Sequence, residues 1–304
     1  MGDLINTFSW SHSRRGCFEA CLRQYWLTYY GSWGGWERTA PPAVREAYLQ
    51  KKLTTRPMWV GTVVHDMAET ALKDLMAGRA PDPAWHRRRA LERARRDLRE
   101  SLAGRWREWP TKVCAFQEHY YGEEVPSAAW DEAIAVIEQQ VDRFFREPVV
   151  LRLGQVPERL VEVEKLAQVD VEGVPVWVKL DALVSDGRGG LVVIDWKTGV
   201  WHQDEVIAAQ LGVYGLYCTL VHGVPADRVV AMHVNLRHGQ RSLHPVDAGT
   251  LDATRREICA SADSMRARLA DPEANIALER DFAPLGEGDP ACVACAFRRS
   301  CGRG

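Results

Sequence analysis

The first half of the chain has the hydrophobic pattern of helices. Apolar and aromatic residues recur there at spacings of three and four, which places them on one buried face of each helix. This pattern predicts helices over residues 16–30, 61–76, 84–109 and 128–145. The segment GSWGGW at 31–36 should end the first of them, because glycine weakens a helix.

The helix predicted over 84–109 is strongly basic. It contains nine arginines against four acidic residues. Its apolar residues form a stripe along one face, so the arginines must lie on the outer face. They fit either a surface that follows a phosphate backbone or an ordinary solvated helix face.

The pattern changes after Pro157, where apolar and polar residues begin to alternate. A period of two predicts strands. We predict strands over 160–171, 174–185, 191–196, 228–236 and 241–246, and helices over 204–222 and 250–269. This order predicts an α/β (α+β) fold with a mixed central β-sheet flanked by helices.

We expect one integrated domain in three parts: a helical N-terminal part (1–157), a core that contains the sheet (158–270) and a C-terminal tail with a cysteine cluster (271–304). The 304 residues, of which 46% are hydrophobic and 26% charged, exclude a disordered, collagen-like or coiled-coil chain.

The sequence has neither an apolar run of membrane-spanning length nor the pattern of a signal peptide, so we expect a cytoplasmic protein with no membrane partner. With a net charge of −2, nucleic acid would have to bind to a local basic surface.

Two aspartates and a lysine lie near the ends of two neighbouring predicted strands. Asp195 and Lys197 are two residues apart, so they point to the same face, and we expect both to face solvent at the strand end. The turn at 186–190 brings Asp181 of the preceding strand beside them. Carboxylates hold Mg²⁺ or Mn²⁺, and such a metal with a nearby lysine can hydrolyse a phosphodiester. The alternative is a simple ion pair at the end of a strand.

The cysteines are unevenly distributed. Three of the eight, Cys292, Cys295 and Cys301, lie within the last thirteen residues. Such close spacing predicts a metal site, whereas scattered cysteines usually behave as small buried apolar residues. Thiolate ligands suit either Zn²⁺ or an iron–sulfur cluster.

The segment IDWKTG at 194–199 resembles the PD-(D/E)XK nuclease superfamily, and in particular its RecB-like branch, which includes CRISPR-associated exonucleases. In that branch one strand ends in D-x-K-T-G and an earlier strand carries G-x-x-D. The chain matches the first pattern closely. It departs from the second, since Val178 stands where the family has glycine. The resemblance implies a restriction-endonuclease-like core.

The resemblance also implies an active site. It gives catalytic roles to Asp181, Asp195, Lys197, Gln210 and Tyr214, and a site for Mg²⁺ or Mn²⁺ to His65, Asp181, Asp195 and Trp196. His65 matches the family's G-x-x-x-H context, and Gln210 and Tyr214 match its Q-x-x-x-Y pattern, which puts both on one helix face. Without the family, His65 would more simply be a structural residue of its helix.

The identity of one further carboxylate ligand of the metal site is left open. Glu162 and Glu164 lie on the strand before Asp181, and their spacing of two places them on one face of the sheet. Either of them could add a ligand to the metal site. The sequence does not choose between them.

The cysteines extend the resemblance. Relatives with a [4Fe–4S] cluster draw one ligand from an N-terminal C-P-R-K/R-F/Y-like segment, which residues 21–25 resemble with leucine in place of proline. The implied cluster ligands are Cys21, Cys292, Cys295 and Cys301. Cys17 is the alternative first ligand, and Zn²⁺ is the alternative metal. A site of this kind would join the two ends of the chain and have a structural role.

Together these features predict a metal-dependent DNA nuclease, with exonuclease action on single-stranded ends or flaps. It would act in DNA repair and recombination, CRISPR adaptation or phage defence, with a helicase or a CRISPR adaptation or defence protein as partner. The alternative is a catalytically silent nucleic-acid-binding subunit that keeps the fold and the metal cluster. The D-x-K and Q-x-x-x-Y residues are all present, which favours activity.

Overall fold

The computed structural model describes residues 4–200 and 204–303, without the side chains of 204–208. Its helices are α1 (His12–Ala20), α2 (Leu22–Trp26), α3 (Pro42–Lys51), α4 (Arg56–Met76), α5 (Pro83–Leu102), α6 (Gln117–Tyr121), α7 (Ser127–Phe144), α8 (Pro148–Gln155), α9 (Asp204–His222), α10 (Ala248–Arg266) and α11 (Pro290–Val293). Its strands are β1 (Leu53–Thr54), β2 (Ala115–Phe116), β3 (Leu160–Val171), β4 (Val174–Ser185), β5 (Leu191–Lys197), β6 (Val229–Asn235) and β7 (Gln240–Pro245). A π-helical turn, Leu27–Gly31, extends α2.

Strands β3 to β7 form one mixed sheet in the order β3-β4-β5-β6-β7. Strands β5 and β6 are parallel, and the other neighbours are antiparallel. Helix α9 makes the crossover between the two parallel strands, a connection that such a pair requires. The predicted α/β fold with a mixed sheet flanked by helices is confirmed.

Helices cover both faces of this sheet. Helices α4, α5 and α7 bury one apolar core against it, and Ile194 and Trp196 of β5 belong to that core. Helices α9 and α10 bury a second core on the opposite face, to which Val193 contributes. A strand that is covered on both sides needs apolar residues at successive positions, which explains the run Leu191–Ile194. Within the described residues, no helix has the length and apolar character needed to cross a membrane.

The five predicted strands agree with the sheet strands to within one residue, but the helices agree less well. The helix predicted over 61–76 begins five residues earlier, at Arg56, the one predicted over 250–269 runs from Ala248 to Arg266, and two others differ more. The helix predicted over 16–30 is broken at Cys21, whose backbone is extended (φ −163°, ψ 120°) and whose sulfur accepts the N–H of Gln24, so that it caps α2. The helix predicted over 84–109 ends at Leu102, because Gly104 adopts a left-handed conformation with φ 70°.

The segment before α1 adds to the sheet. The N–H of Trp10 donates to the carbonyl of Pro175 at 2.8 Å, and the N–H of Trp177 donates to the carbonyl of Trp10 at 2.8 Å. Strand β5 pairs only with residues 182–185 of β4. Trp10 therefore occupies part of the β4 edge that β5 leaves free, and α1 begins beside that edge.

Candidate active site

Asp181 lies where the side-chain alternation of β4 changes. Leu180 packs in the core under α9 and α10, whereas Ala182, two positions later, packs in the opposite core under α4 and α7. One carboxylate oxygen of Asp181 accepts the N–H of Trp196 at 2.8 Å and ties the residue to β5. The other oxygen faces His65 of α4.

Asp195 and Lys197 lie on the same side of β5, as their spacing predicts, but Asp195 does not face solvent. Asp195 is only 3% exposed, whereas the Lys197 side chain is 37% exposed. The Nζ of Lys197 lies 2.7 Å from Oδ2 of Asp195, and the hydroxyl of Tyr214 donates to Oδ1 at 3.0 Å. Helix α9 thus covers the Asp195 carboxylate, and a strand pattern alone gives no sign of this.

Gln210 completes a closed ring of hydrogen bonds between β5 and α9. Its Oε1 accepts from Nζ of Lys197 at 3.0 Å, and its Nε2 donates to the Tyr214 hydroxyl at 2.5 Å. Because Tyr214 donates to Asp195 in turn, the four side chains hold one another, and we call them the Asp195 ring. Burial and then the charge of Asp195 raise the pKa of Tyr214 well above its usual value, so the hydroxyl keeps its proton.

His65 of α4 faces two carboxylates of the sheet. Its Nδ1 lies 3.4 Å from Asp181 and 3.6 Å from Glu164. Among the described side chains, these three, the His65 group, are the set whose ligand atoms all lie within 4.8 Å of one another. Burial lowers the pKa of His65, but hydrogen bonds to Asp181 and Glu164 outweigh this effect and raise it to about 10. Burial raises the pKa of Asp181.

Glu162 and Glu164 lie on opposite faces of the sheet, so the expectation that they share one face is wrong. Glu164 reaches His65, whereas Glu162 accepts a hydrogen bond from the Tyr217 hydroxyl of α9 at 2.7 Å. The cause is the backbone: Glu164 is left-handed with φ 48°, and the pairing of β3 with β4 shifts register beside Glu162. An irregularity of this kind resets the alternation of side chains.

Two residues beside Asp195 have buried rings. The main-chain N–H of Trp196 donates to Asp181, and its indole packs edge-on against Phe144 of α7 with ring centroids 5.1 Å apart. His233, which the sequence reasoning missed, is the β6 partner of Asp195, and its Nε2 lies 3.5 Å from Oδ2 of Asp195. Only the register of the parallel pair could have identified His233, and the sequence does not give that register.

Cysteines from both ends of the chain line one small cavity of about 50 Å³. They are Cys21, Cys292, Cys295 and Cys301. The break between α1 and α2 therefore lies at this cavity. Cys17 is not among the lining residues: its sulfur lies 3.9 Å from the Thr28 hydroxyl, and burial raises its pKa to about 11.

The arginines of α5 have two environments. Arg87 lies 3.6 Å from Glu138 of α7, and Arg93 forms an ion pair with Asp66 of α4, so both tie α5 to neighbouring helices. A groove of about 430 Å³ between α4 and α5 is lined by Arg89, Arg93, Arg96 and Arg99. Helix α5 therefore combines structural ion pairs with a basic groove.

The fold and the site define a class of protein. Carboxylates, a histidine and a lysine gathered at adjacent strands of a mixed sheet are suited to metal-dependent hydrolysis of phosphodiesters. The sequence model of the PD-(D/E)XK nuclease superfamily matches residues 9–302, nearly the whole chain. The chain belongs to the PD-(D/E)XK nuclease superfamily.

The solved structures that match include one with a distant similarity. The crystal structure of SSO0001 aligns with 60% of this chain and 89% of that chain, at 13% sequence identity and a TM-score of 0.28. No curated protein matches the sequence. The family assignment therefore rests on the superfamily match.

Proposed function

We propose that the protein is a metal-dependent DNA nuclease of the RecB-like branch that acts as an exonuclease on single-stranded ends or flaps. The observation that carries the proposal is the position of the Asp195 ring beside the His65 group. Asp181 of the His65 group accepts the N–H of Trp196, the residue between Asp195 and Lys197, so the lysine that Gln210 holds follows directly on the metal-site strand contact. Membership of a nuclease superfamily supports nucleic acid as the substrate.

The His65 group fits a divalent cation. It offers one imidazole nitrogen and two carboxylate oxygens within 4.8 Å of one another. This mixed set suits Mn²⁺ better than Mg²⁺, which favours oxygen ligands. Asp195 and Trp196 complete the proposed site from β5. Trp196 has only its main-chain carbonyl oxygen to offer, because an indole N–H is a donor.

A bound cation supplies Lewis acidity toward the phosphate and lowers the pKa of water. The residues of the chain do the rest. The partly exposed amine of Lys197 donates to a phosphate oxygen or orients the attacking water, and it offsets the negative charge that develops during hydrolysis. Asp195 and Gln210 hold this amine from two sides, so it needs little reorganisation when substrate arrives.

We further propose that Cys21, Cys292, Cys295 and Cys301 hold a structural [4Fe–4S] cluster. All four line one cavity, which supports Cys21 over Cys17 as the N-terminal ligand. The resemblance of residues 21–25 to the N-terminal ligand segment of relatives with a [4Fe–4S] cluster favours iron, and Zn²⁺ is the alternative metal.

A catalytically silent nucleic-acid-binding subunit is the competing function. The basic groove beside α5 would serve such a subunit equally well. The intact Asp195 ring favours the enzyme, because hydrogen bonds that fix a lysine beside a metal site serve catalysis rather than binding alone. The proposed processes are DNA repair and recombination, CRISPR adaptation or phage defence, with a helicase or a CRISPR adaptation or defence protein as partner.

Cleavage of end-labelled DNA tests the proposal. Single-stranded, flapped and fully paired DNA, and RNA of the same sequence, are incubated with Mg²⁺ or Mn²⁺ and with a chelator as control. We expect mononucleotides or short products from single-stranded DNA ends, and none with the chelator. Internal fragments as first products would contradict the exonuclease assignment. Binding without cleavage under every condition would favour the silent subunit.

A further inference from the structure

A cavity of about 490 Å³ opens next to the Asp195 ring. Gln210 and Tyr214 of the ring form part of its wall, and Trp177 and Lys179 of β4 form another part. The beginning of α1, at His12, closes it on a third side. Its volume falls within the range of roughly 300–1,000 Å³ that is usual for ligand pockets.

Strand β4 connects this cavity to the His65 group. Val176 and Val178 pack in the core under α9, so Trp177 and Lys179 lie on the other face of the strand. Asp181 continues this row two positions later. At about 3.4 Å per residue, Trp177 is roughly 14 Å from Asp181 along the strand. The row thus runs from an aromatic ring, past a cation, to a proposed metal ligand.

Trp177 is open to solvent beside the cavity. The residue is 40% exposed, whereas its main-chain N–H donates to the carbonyl of Trp10 at 2.8 Å. An indole held on a rigid strand and open to solvent offers a flat surface for stacking. Aromatic side chains of this kind bind the bases of single strands without regard to sequence.

Polar groups accompany the indole. The Nζ of Lys179 lies 2.5 Å from Glu164 of the His65 group, and its side chain is 58% exposed, so its amine keeps donors for a further anion. The Nδ1 of His12 is buried without a hydrogen-bond partner among the described residues. Burial, followed by the nearby charges of Arg15 and Lys197, lowers the pKa of His12.

We propose that this cavity binds an unpaired nucleotide next to the scissile phosphate, with its base stacked on Trp177 and its phosphate beside Lys179. The inference rests on the proposed nuclease function and deepens it by assigning the cavity wall formed by Trp177 and Lys179 as the place where an unpaired nucleotide of the substrate binds. A base within a duplex has both faces covered by neighbouring bases and cannot stack on Trp177.

Binding of a short fluorescein-labelled oligothymidylate by the full-length protein tests this proposal. Fluorescence anisotropy is measured in a chelator, so that the probe is not cleaved, for the wild type, Trp177→Ala and Trp177→Phe. Trp109→Ala is the matched control, because Trp109 is 49% exposed and lies outside the cavity. A second probe lacks its bases and keeps its phosphates. Melting temperatures confirm that each variant is folded.

We expect Trp177→Ala to weaken oligothymidylate binding roughly tenfold, since alanine removes the stacking surface. Trp177→Phe should lose much less affinity for oligothymidylate, and Trp109→Ala should bind it like the wild type. The abasic probe should bind the wild type and Trp177→Ala equally well. Equal binding of oligothymidylate by Trp177→Ala and the wild type, or the same loss with both probes, would overturn the proposal.

The proposed nuclease function and the proposed nucleotide cavity can be refuted independently of each other. If the wild type cleaves DNA and Trp177→Ala binds normally, the nuclease remains and the nucleotide cavity is wrong. If no substrate is cleaved but binding depends on Trp177, the cavity remains and the protein is the silent binding subunit. The cleavage assay and the binding assay therefore give independent answers.

Discussion

The amine of Lys197 donates a hydrogen bond to Oε1 of Gln210 across 3.0 Å, although the two residues belong to different elements, β5 and α9. The same amide donates to Tyr214, which fixes its orientation. The lysine is therefore held from the helix as well as from its own strand. Its direction depends on how α9 packs on the sheet.

Loss of the charges of the Asp195 ring should abolish cleavage. We expect Asp195→Asn and Lys197→Ala each to lower turnover at least about a hundredfold, because charge stabilisation at the phosphate is lost. Asparagine is chosen because Asp195 is buried and alanine would leave a cavity. Cleavage rates and melting temperatures are measured together. Turnover like that of the wild type in either variant would remove the ring from the active site.

Tyr214→Phe isolates the role of one hydroxyl. The ring of the phenylalanine refills the same buried space, but Oδ1 of Asp195 loses its donor and Gln210 loses an acceptor. We expect a fall in stability of about 1–3 kcal/mol and a lower turnover. Tyr217→Phe, which also removes a hydroxyl from α9, is the control and should keep full turnover.

Glu164 and Glu162 form a matched pair for the metal site. Glu164→Gln keeps the size of the side chain but removes an anionic ligand from the His65 group. We expect its Mn²⁺ affinity to fall at least about tenfold by calorimetry. Glu162→Gln, on the opposite face, should bind Mn²⁺ like the wild type. The reverse result would show that the metal lies on the α9 side of the sheet.

The His65 group makes Mn²⁺ binding depend on pH. Without metal, two carboxylates raise the pKa of His65 to about 10 from an ordinary value of 6.5, so its imidazolium stabilises the fold. That contribution is complete below pH 6.5 and is lost as the pH rises through about 10. Mn²⁺ must displace this proton, so its affinity should rise by up to about tenfold per pH unit above neutrality.

Two variants check this linkage. His65→Ala should remove most of the pH dependence of Mn²⁺ binding and weaken the metal affinity at every pH. Asp66→Ala, at the neighbouring position on α4, is the control and should keep the pH dependence. A flat pH profile in the wild type would mean that His65 is not a ligand.

Removal of the proposed cluster ligands should bleach the protein. We expect anaerobically purified wild type to be brown and to contain iron, and Cys21→Ala and Cys295→Ala to lose iron and melt at a lower temperature. Cys17→Ala should keep its iron, because Cys17 lies outside the cavity. Colourless protein with one Zn²⁺ would overturn the cluster but keep the site. Bleaching by Cys17→Ala alone would reassign the first ligand.

The sequence predicts the sheet well because its strands follow two regular patterns. Alternation marks strands with one face more buried than the other, the continuous apolar run of β5 marks a strand covered on both faces, and together they place the strand ends to within one residue. Asp195 and Lys197 could be paired on one face by the same reasoning. The reasoning fails wherever the backbone leaves its regular period, as at Glu164 with φ 48° and at Cys21 between two helices.

The remaining features of the site depend on contacts between distant parts of the chain. His233 meets Asp195 through the register of a parallel pair. Asp195 is buried because α9 packs over the strand end. The pKa of His65 lies far above that of an ordinary histidine, because two carboxylates of the sheet adjoin its ring. None of these contacts leaves a local signal in the sequence.

The pairing of Trp10 with β4 also covers part of a strand edge. An uncovered strand edge offers free N–H and C=O groups to any other extended chain. Trp10 occupies this edge between Pro175 and Trp177, where β5 does not reach. The segment that forms one wall of the proposed nucleotide cavity thus also hinders strand addition from a second molecule. Loss of this segment should increase aggregation through the exposed edge of β4 as well as weaken DNA binding.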